Sequence, residues 1–138
     1  MFNERNVQVV QRVTDWQEAI RLAATPLVED GSIRPSYVDG MIESVKELGF
    51  YIVLDEGLAM PHARPEAGVI RGGVSFMKVN EAVDFGGNPV HLIFVLAAEN
   101  DDAHIERLTA LMELFQDTER MDGLRSADDL ATVKRILI

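Results

Sequence analysis

The sequence predicts an α/β fold, in which a mixed β-sheet is flanked by helices on both faces as a three-layer sandwich, in a single domain over residues 1–138. Apolar residues at helical spacing alternate along the chain with short runs rich in β-branched residues, which indicates alternating helices and strands. The run over 90–97, VHLIFVLA, is apolar on both faces, as is typical of a strand that helices cover on both sides. The length suits one domain, and no linker or internal repeat divides it.

The composition, with 47% apolar and 26% charged residues, favours a soluble globular protein. The absence of cysteine excludes disulfides, thiolate metal sites and a cysteine nucleophile within this chain. The first five residues lack the apolar core of a signal peptide, and no apolar run approaches the ~18 residues of a membrane span, so we expect a cytoplasmic protein. The net charge of −10 argues against nucleic acid as a partner and favours steering toward basic protein surfaces.

Two helices are predicted after a short strand or extended entry at residues 5–13. Thr14 is predicted as the N-cap of the first helix, in a capping box with Gln17, and this helix is expected to run for about 15 residues. The second helix begins at Pro35, where the missing N–H costs nothing, and ends at Gly49. The apolar stripes of the two helices are Trp16, Ala19, Ile20, Ala23 and Leu27, and then Val38, Met41, Ile42, Val45 and Leu48.

Four apolar segments are predicted as strands. They lie at 50–54, 74–79, 83–85 and 90–97, and a turn is expected at residues 80–81. A helix is predicted after the last strand, with the apolar stripe Ile105, Leu108, Leu111, Met112 and Phe115. A final helix, capped within 126–129, carries Leu130, Val133, Ile136 and Leu137.

The run from Gly57 to Glu66, GLAMPHARPE, holds one imidazole between two prolines. Each proline fixes its own φ and biases the preceding residue toward an extended backbone, so His62 lies in a stiff, non-helical segment. A neutral imidazole is a nucleophile near pH 7, and the guanidinium of Arg64 offers a planar fork of donors for phosphate oxygens. This combination suits a histidine that accepts and releases a phosphoryl group. A purely structural histidine in a proline-rich turn is the alternative.

His104 follows the 90–97 strand and lies in the first turn of the predicted helix. Sites in open α/β sheets lie beyond the carboxyl ends of strands, so His62 and His104 meet at one sheet edge if their strands are parallel neighbours. His104 would then bind phosphoryl oxygens or fix the tautomer of His62, assisted by free N–H groups of the helix N-terminus. The alternative is a core-edge imidazole that is hydrogen-bonded to backbone.

His91 opens the buried strand and is interpreted as structural. A metal site formed by the three histidines is formally possible, but no two of them have helical ligand spacing, so no metal is expected. No Gly-rich phosphate loop, G-x-G-x-x-G or G-x-S-x-G pattern is present, and no cofactor is expected. A phosphoryl group would therefore have to arrive from another protein.

These residues resemble the enzyme IIA domains of the bacterial phosphoenolpyruvate-dependent sugar phosphotransferase system, of the mannitol–fructose type. The family pattern G-x-A-x-P-H is filled by Gly57, Ala59, Pro61 and His62. His104 stands where the family has a second histidine, after a hydrophobic strand and before a Leu-rich helix. The residues that follow His62, A-R-P-E, differ from the P-H-G form of mannitol and fructose members, and they are most similar to the ascorbate-type IIA components.

The resemblance implies a phosphotransferase component in which His62 carries the phosphoryl group as phosphohistidine and His104 assists. The donor would be the histidine-containing phosphocarrier protein and the acceptor a cysteine of a IIB component, with sugar import through a membrane IIC component. Lys46 stands where mannitol-type members often have arginine, and no role is assigned to it because lysine is a point donor. The alternatives are a regulatory module of the same fold that signals to a partner protein, and a metal-dependent hydrolase.

Overall fold

A computed structural model describes residues 1–138 and contains one five-stranded sheet and five α-helices. The strands are β1 (Val7–Val10), β2 (Val53–Asp55), β3 (Gly57–Ala59), β4 (Gly73–Phe85) and β5 (Asn88–Ala97), and the helices are α1 (Trp16–Glu29), α2 (Pro35–Leu48), α3 (Asp101–Gln116), α4 (Thr118–Ser126) and α5 (Leu130–Leu137). A short 3-10 turn covers Pro65–Ala67. No helix is both long enough and apolar enough to cross a membrane.

The sheet is mixed, as the sequence predicts, and its strand order is β1-β4-β5-β3-β2. β1 runs parallel to β4 and β3 runs parallel to β5, whereas the pairs β4–β5 and β2–β3 are antiparallel. β5 is therefore the central strand. Because β3 is its parallel neighbour, the carboxyl ends of β3 and β5 lie at the same edge of the sheet.

Helices cover both faces of the sheet. The α1 and α2 helices pack on one face, in a core that includes Met77, Ile93 and Val95. The other three helices pack on the opposite face, in a second core that includes Phe76 and Phe94. Alternate residues of β5 thus enter different cores, which is why the 90–97 run is apolar throughout. The predicted three-layer α/β sandwich is confirmed.

The predicted strand at 50–54 is wrong in its position. Residues 50–52 form a turn after Gly49, which ends α2 with φ +82°, and the strand covers 53–55 instead. Two apolar residues of the turn pack against the core: the half-buried Phe50 contacts Trp16 edge-to-face at 5.3 Å between ring centroids, and Ile52 is fully buried. The strand that leads to His62 is the short β3, which lies within the segment predicted as a loop.

The predicted N-cap is also wrong, by one residue. The cap of α1 is Asp15, whose side chain accepts a hydrogen bond from the backbone N–H of Glu18 at 2.8 Å. The Glu18 carboxylate accepts in turn from the backbone N–H of Thr14 at 3.1 Å. Thr14 and Gln17 do not hold the predicted places, because Asp15 accepts from a first-turn N–H and Glu18 accepts from the N–H that precedes the cap.

Two further predictions fail in the second half of the chain. Residues 80–81 do not form a turn, because β4 continues through them, and a shift of its register against β5 between Lys78 and Val83 accommodates the polar residues. The 83–85 segment is consequently the end of β4 and not a separate strand. The α4 helix was not predicted, because Met121 and Leu124 are its only apolar side chains and two residues make too sparse an apolar stripe.

Candidate functional site

The segment that carries His62 continues the path of β3 along the central strand. β3 pairs with β5 through Leu58 and Leu92 and then through Ala59 and Ile93. Beyond the end of β3, the N–H of Leu96 donates to the carbonyl of Pro61 at 3.0 Å. His62 is therefore the first residue beyond a backbone that is hydrogen-bonded to the sheet.

The ring of His62 has a defined orientation. Its Nδ1 atom lies 2.9 Å from the carbonyl oxygen of Met60. A carbonyl oxygen can only accept a hydrogen bond, so in the neutral ring the proton is on Nδ1 and the lone pair is on Nε2. Tyr51 packs edge-to-face on the imidazole at 5.5 Å between ring centroids. This local arrangement leaves Nε2 as the one nucleophilic atom of the ring.

The structure brings His104 beside His62, with 6.1 Å between the ring centroids. His104 lies in the first turn of α3, directly after β5, whereas His62 follows β3, so the two parallel strands deliver the two imidazoles to one sheet edge. The sequence predicts this proximity from the strand ends, but it places the first of the two strands at 50–54. The His104 ring has no hydrogen-bond partner within the chain, so its nitrogens are available to a ligand.

The N-terminus of α3 is capped by Asn100, whose side chain accepts from the backbone N–H of Ala103 at 2.8 Å. One of the free N–H groups of this helix is therefore already occupied. The first-turn N–H groups of Asp101 and Asp102 have no acceptor within the helix. Both residues are exposed, and Asp101 lines the site, so its carboxylate opposes an anion there.

His62 and His104 line an open cleft of about 360 Å³. Arg64 and Tyr51 also line it, and the apolar side chain of Leu48 lies at the same surface, 71% exposed. The Arg64 guanidinium is exposed and makes no hydrogen bond or ion pair with the chain. The cleft thus combines the imidazole of His62, a second imidazole and an unpaired cation.

Lys46 and His91 lie outside this cleft. Lys46 forms an exposed ion pair with Glu43 at 3.4 Å. His91 is 3.2 Å from the carbonyl of Val79 through its Nδ1 atom, and it lines a separate cleft with Arg125. The three histidines therefore do not converge, and no group of three or more potential ligands is close enough to hold a metal ion.

Sequence reasoning missed Tyr37, which is fully buried beside the site. Its hydroxyl is 2.8 Å from the carbonyl of Leu96, and it accepts a hydrogen bond from the backbone N–H of Ala63 at 3.0 Å. Burial raises the pKa of Tyr37 to about 12, so the hydroxyl stays protonated near neutral pH. The only signal in the sequence is a tyrosine one residue before the apolar stripe of α2.

The chain belongs to the family described as phosphoenolpyruvate-dependent sugar phosphotransferase system, EIIA 2, whose match covers residues 1–138. It is accordingly a phosphotransferase component, of the class that carries a phosphohistidine. The resemblance to IIA domains of the mannitol–fructose type is thereby confirmed.

Two relatives from Escherichia coli K12 show the range of the similarity. The mannitol-specific cryptic phosphotransferase enzyme IIA component is 36% identical over 128 residues, which cover 91% of this chain and 87% of the relative. The ascorbate-specific PTS system EIIA component is 31% identical over 130 residues, which cover 91% and 84%. The relatives thus include components for two different sugars.

Two solved structures from Escherichia coli have the same fold. The solution structure of the mannitol-specific cryptic enzyme IIA CmtB has a TM-score of 0.91 at 34% identity and covers 98% of this chain and 93% of its own. The complex of enzyme IIA of the mannitol system with phosphorylated enzyme IIB has a TM-score of 0.83 at 28% identity and covers 99% and 96%. The second shows that IIA protein bound to its IIB partner.

Proposed function

We propose that Nε2 of His62 accepts a phosphoryl group from the histidine-containing phosphocarrier protein and passes it to a cysteine of a IIB component. The observation that carries this proposal is the 2.9 Å contact between Nδ1 of His62 and the carbonyl of Met60, which leaves the lone pair on Nε2. Nε2 forms the new P–N bond as the P–N bond of the donor breaks, and the Nδ1 proton stays hydrogen-bonded to Met60. Position and charge stabilisation supply most of such a transfer.

His104 and Arg64 stabilise the phosphoryl group in this proposal. The imidazole of His104, 6.1 Å from that of His62 between ring centroids, faces the same cleft with no partner in the chain. Arg64 is two residues from His62 and lines the cleft with an unpaired guanidinium, which suits phosphate oxygens. The carboxylate of Asp101 lines the same cleft and repels the phosphoryl group, so it favours release of that group to the next carrier.

The acceptor and the place of action follow from the family. The relative whose structure is solved with phosphorylated IIB supports a IIB component as acceptor, since its IIA partner has the fold of this chain. The 1–138 domain would act in the cytoplasm, beside a IIC permease that imports the sugar. The A-R-P-E run after His62 supports ascorbate as the sugar, and the mannitol-type relative at 36% identity makes mannitol the second candidate.

The test is a phosphorylation assay with phosphoenolpyruvate, enzyme I and the phosphocarrier protein. We expect one acid-labile phosphoryl group per wild-type chain and none in His62→Ala, because the P–N bond of phosphohistidine is acid-labile. His91→Ala is the matched control, since it removes an imidazole outside the cleft, and it should take up the label fully. Label that persists in His62→Ala would overturn the proposal. Label that reaches no IIB component would favour a regulatory module.

A further inference from the structure

Tyr37 has a buried hydroxyl beside the cleft, and the proposed transfer assigns no role to this hydroxyl. Its oxygen lies 2.8 Å from the carbonyl of Leu96, 3.0 Å from the N–H of Ala63 and 3.2 Å from the carbonyl of Ala63. A hydroxyl has one proton to donate and two lone pairs with which to accept. The shortest contact indicates that the hydroxyl donates its proton to the carbonyl of Leu96, and the hydroxyl oxygen then accepts from the N–H of Ala63. Tyr37 therefore bridges the end of β5 and the residue after His62.

The bridge has a counterpart on the other side of His62. The N–H of Leu96 donates directly to the carbonyl of Pro61 at 3.0 Å. The two peptide groups that flank His62 are thus both tied to Leu96, one directly and the other through the hydroxyl of Tyr37. No other hydrogen bond ties the Ala63 N–H to the sheet, because β3 has already ended at Ala59.

Two more contacts hold the following residues against the start of α2. The Ser36 hydroxyl donates to the carbonyl of Ala67 at 2.7 Å, and the Arg34 N–H donates to the carbonyl of Gly68 at 2.8 Å. Gly68 has φ +144°, and a Cβ there would lie 2.9 Å from the backbone nitrogen of Tyr37, so the two segments approach as closely as a glycine allows. Of these contacts, that of Tyr37 is nearest in the chain to His62.

We propose that Tyr37 is a positioning residue for phosphoryl transfer, whose hydroxyl fixes the backbone after His62 and so keeps Nδ1 on the Met60 carbonyl and Nε2 directed into the cleft. This inference rests on the proposed function of His62. Tyr37 is buried behind the loop and does not line the cleft, so it acts through the orientation of the ring and not by contact with the phosphoryl group. Small errors in the placement of a reacting group can reduce a rate by about 100-fold.

The test compares Tyr37→Phe, which keeps the buried ring and removes the hydroxyl, with Ser75→Ala. Ser75 is also fully buried and donates to a carbonyl, that of Ala23, at 2.6 Å, but its hydroxyl binds α1 and not the His62 loop. We expect Tyr37→Phe to accept phosphoryl groups about 10- to 100-fold more slowly. Its ¹⁵N ring shifts should show a mixture of His62 tautomers. Ser75→Ala should keep the wild-type rate and the wild-type ring shifts.

A folded Tyr37→Phe protein with wild-type ring shifts and a wild-type rate would overturn the role of Tyr37. A wild-type chain that takes up no label would overturn the proposed function instead, and the ring shifts, which need no donor, would still decide the role of Tyr37. If Tyr37→Phe does not fold, amide hydrogen exchange of the wild-type chain tests whether the Tyr37 hydroxyl holds the N–H of Ala63. Ala63 should be protected as strongly as Leu96, and rapid exchange at Ala63 would overturn the inference.

Discussion

Two atoms 2.9 Å apart, Nδ1 of His62 and the carbonyl oxygen of Met60, decide which ring nitrogen would attack phosphorus in the proposed transfer. Without this contact either nitrogen could hold the lone pair, and a mixture of tautomers would reduce the reactive fraction. The proline at position 61 contributes by restricting the backbone between the two groups. At the scale of single residues, reactivity is therefore set by how a common side chain is held and not by an unusual group.

Substitution of His104 tests whether the second imidazole assists without carrying the phosphoryl group. We expect His104→Ala to remain phosphorylatable at His62 but to pass the group to IIB about 100- to 1,000-fold more slowly, as when one donor to a developing charge is lost. His104→Gln keeps an N–H donor and should be less affected. Rapid-quench transfer assays measure both steps. Wild-type rates in both directions would show a structural residue, and loss of phosphorylation would show that His104 is essential for acceptance.

Tyr37 predicts a pH dependence of stability. In the folded chain burial raises the pKa of Tyr37 to about 12, whereas an unfolded tyrosine ionises near pH 10. The folded state thus holds more protons between these values, so the contribution of Tyr37 is complete below about pH 10 and is lost as the pH rises toward 12. Urea unfolding should show wild type losing stability relative to Tyr37→Phe over this window. A constant difference between them would contradict the prediction.

At the scale of elements, Lys78 of β4 connects the end of α4 and the residue that follows it to the sheet by hydrogen bonds. Lys78 is 3% exposed as a residue, and its ammonium donates to the carbonyls of Leu124 and Arg125 at 2.9 Å each, and also to that of Ala127. Burial lowers the pKa of Lys78, and the Asp128 carboxylate partly opposes this effect. A strand residue thus supplies donors for carbonyls that the end of α4 leaves without partners.

Lys78→Met should lower the free energy of unfolding by about 1–3 kcal/mol, because buried carbonyls lose their donor. Lys46→Met is the matched control, since Lys46 is exposed beside Glu43, and it should change the free energy by less than about 0.5 kcal/mol. Urea denaturation measures both. Phosphorylation of His62 should be unaffected in either variant. Equal effects of the two substitutions on stability would contradict the role assigned to Lys78.

The sequence predicts these elements unevenly, for physical reasons. Periodicity needs several apolar residues at regular spacing, so it places α1, α2 and the central β5, and it fails for α4, whose only apolar side chains are Met121 and Leu124. It also mistook the packed residues Phe50 and Ile52 for a strand. The proximity of His62 and His104 is predicted from the proline-flanked motif around His62 and from the rule that sites in α/β sheets lie beyond the carboxyl ends of strands. The contact of Tyr37 with Leu96 spans 59 residues and leaves no local pattern.

At the scale of the whole molecule, the net charge of −10 bears on association with the phosphoryl donor. Such a charge attracts a partner that presents a basic surface. Salt at moderate concentration limits the range of this attraction to about 8–10 Å. We expect phosphoryl transfer at limiting donor concentration to slow as ionic strength rises, with the loss in the association rate. Transfer from a small-molecule phosphoryl donor is the control and should change less. A rate that is independent of salt would remove the electrostatic contribution.

The most direct test of the central claim is ³¹P and ¹⁵N NMR of the wild-type chain phosphorylated by the phosphocarrier protein. The geometry predicts a single phosphohistidine, at His62, with phosphorus coupled to Nε2 and a proton retained on Nδ1 toward the Met60 carbonyl. A phosphoryl group on Nδ1 of His62, or on His91 or His104, would contradict it.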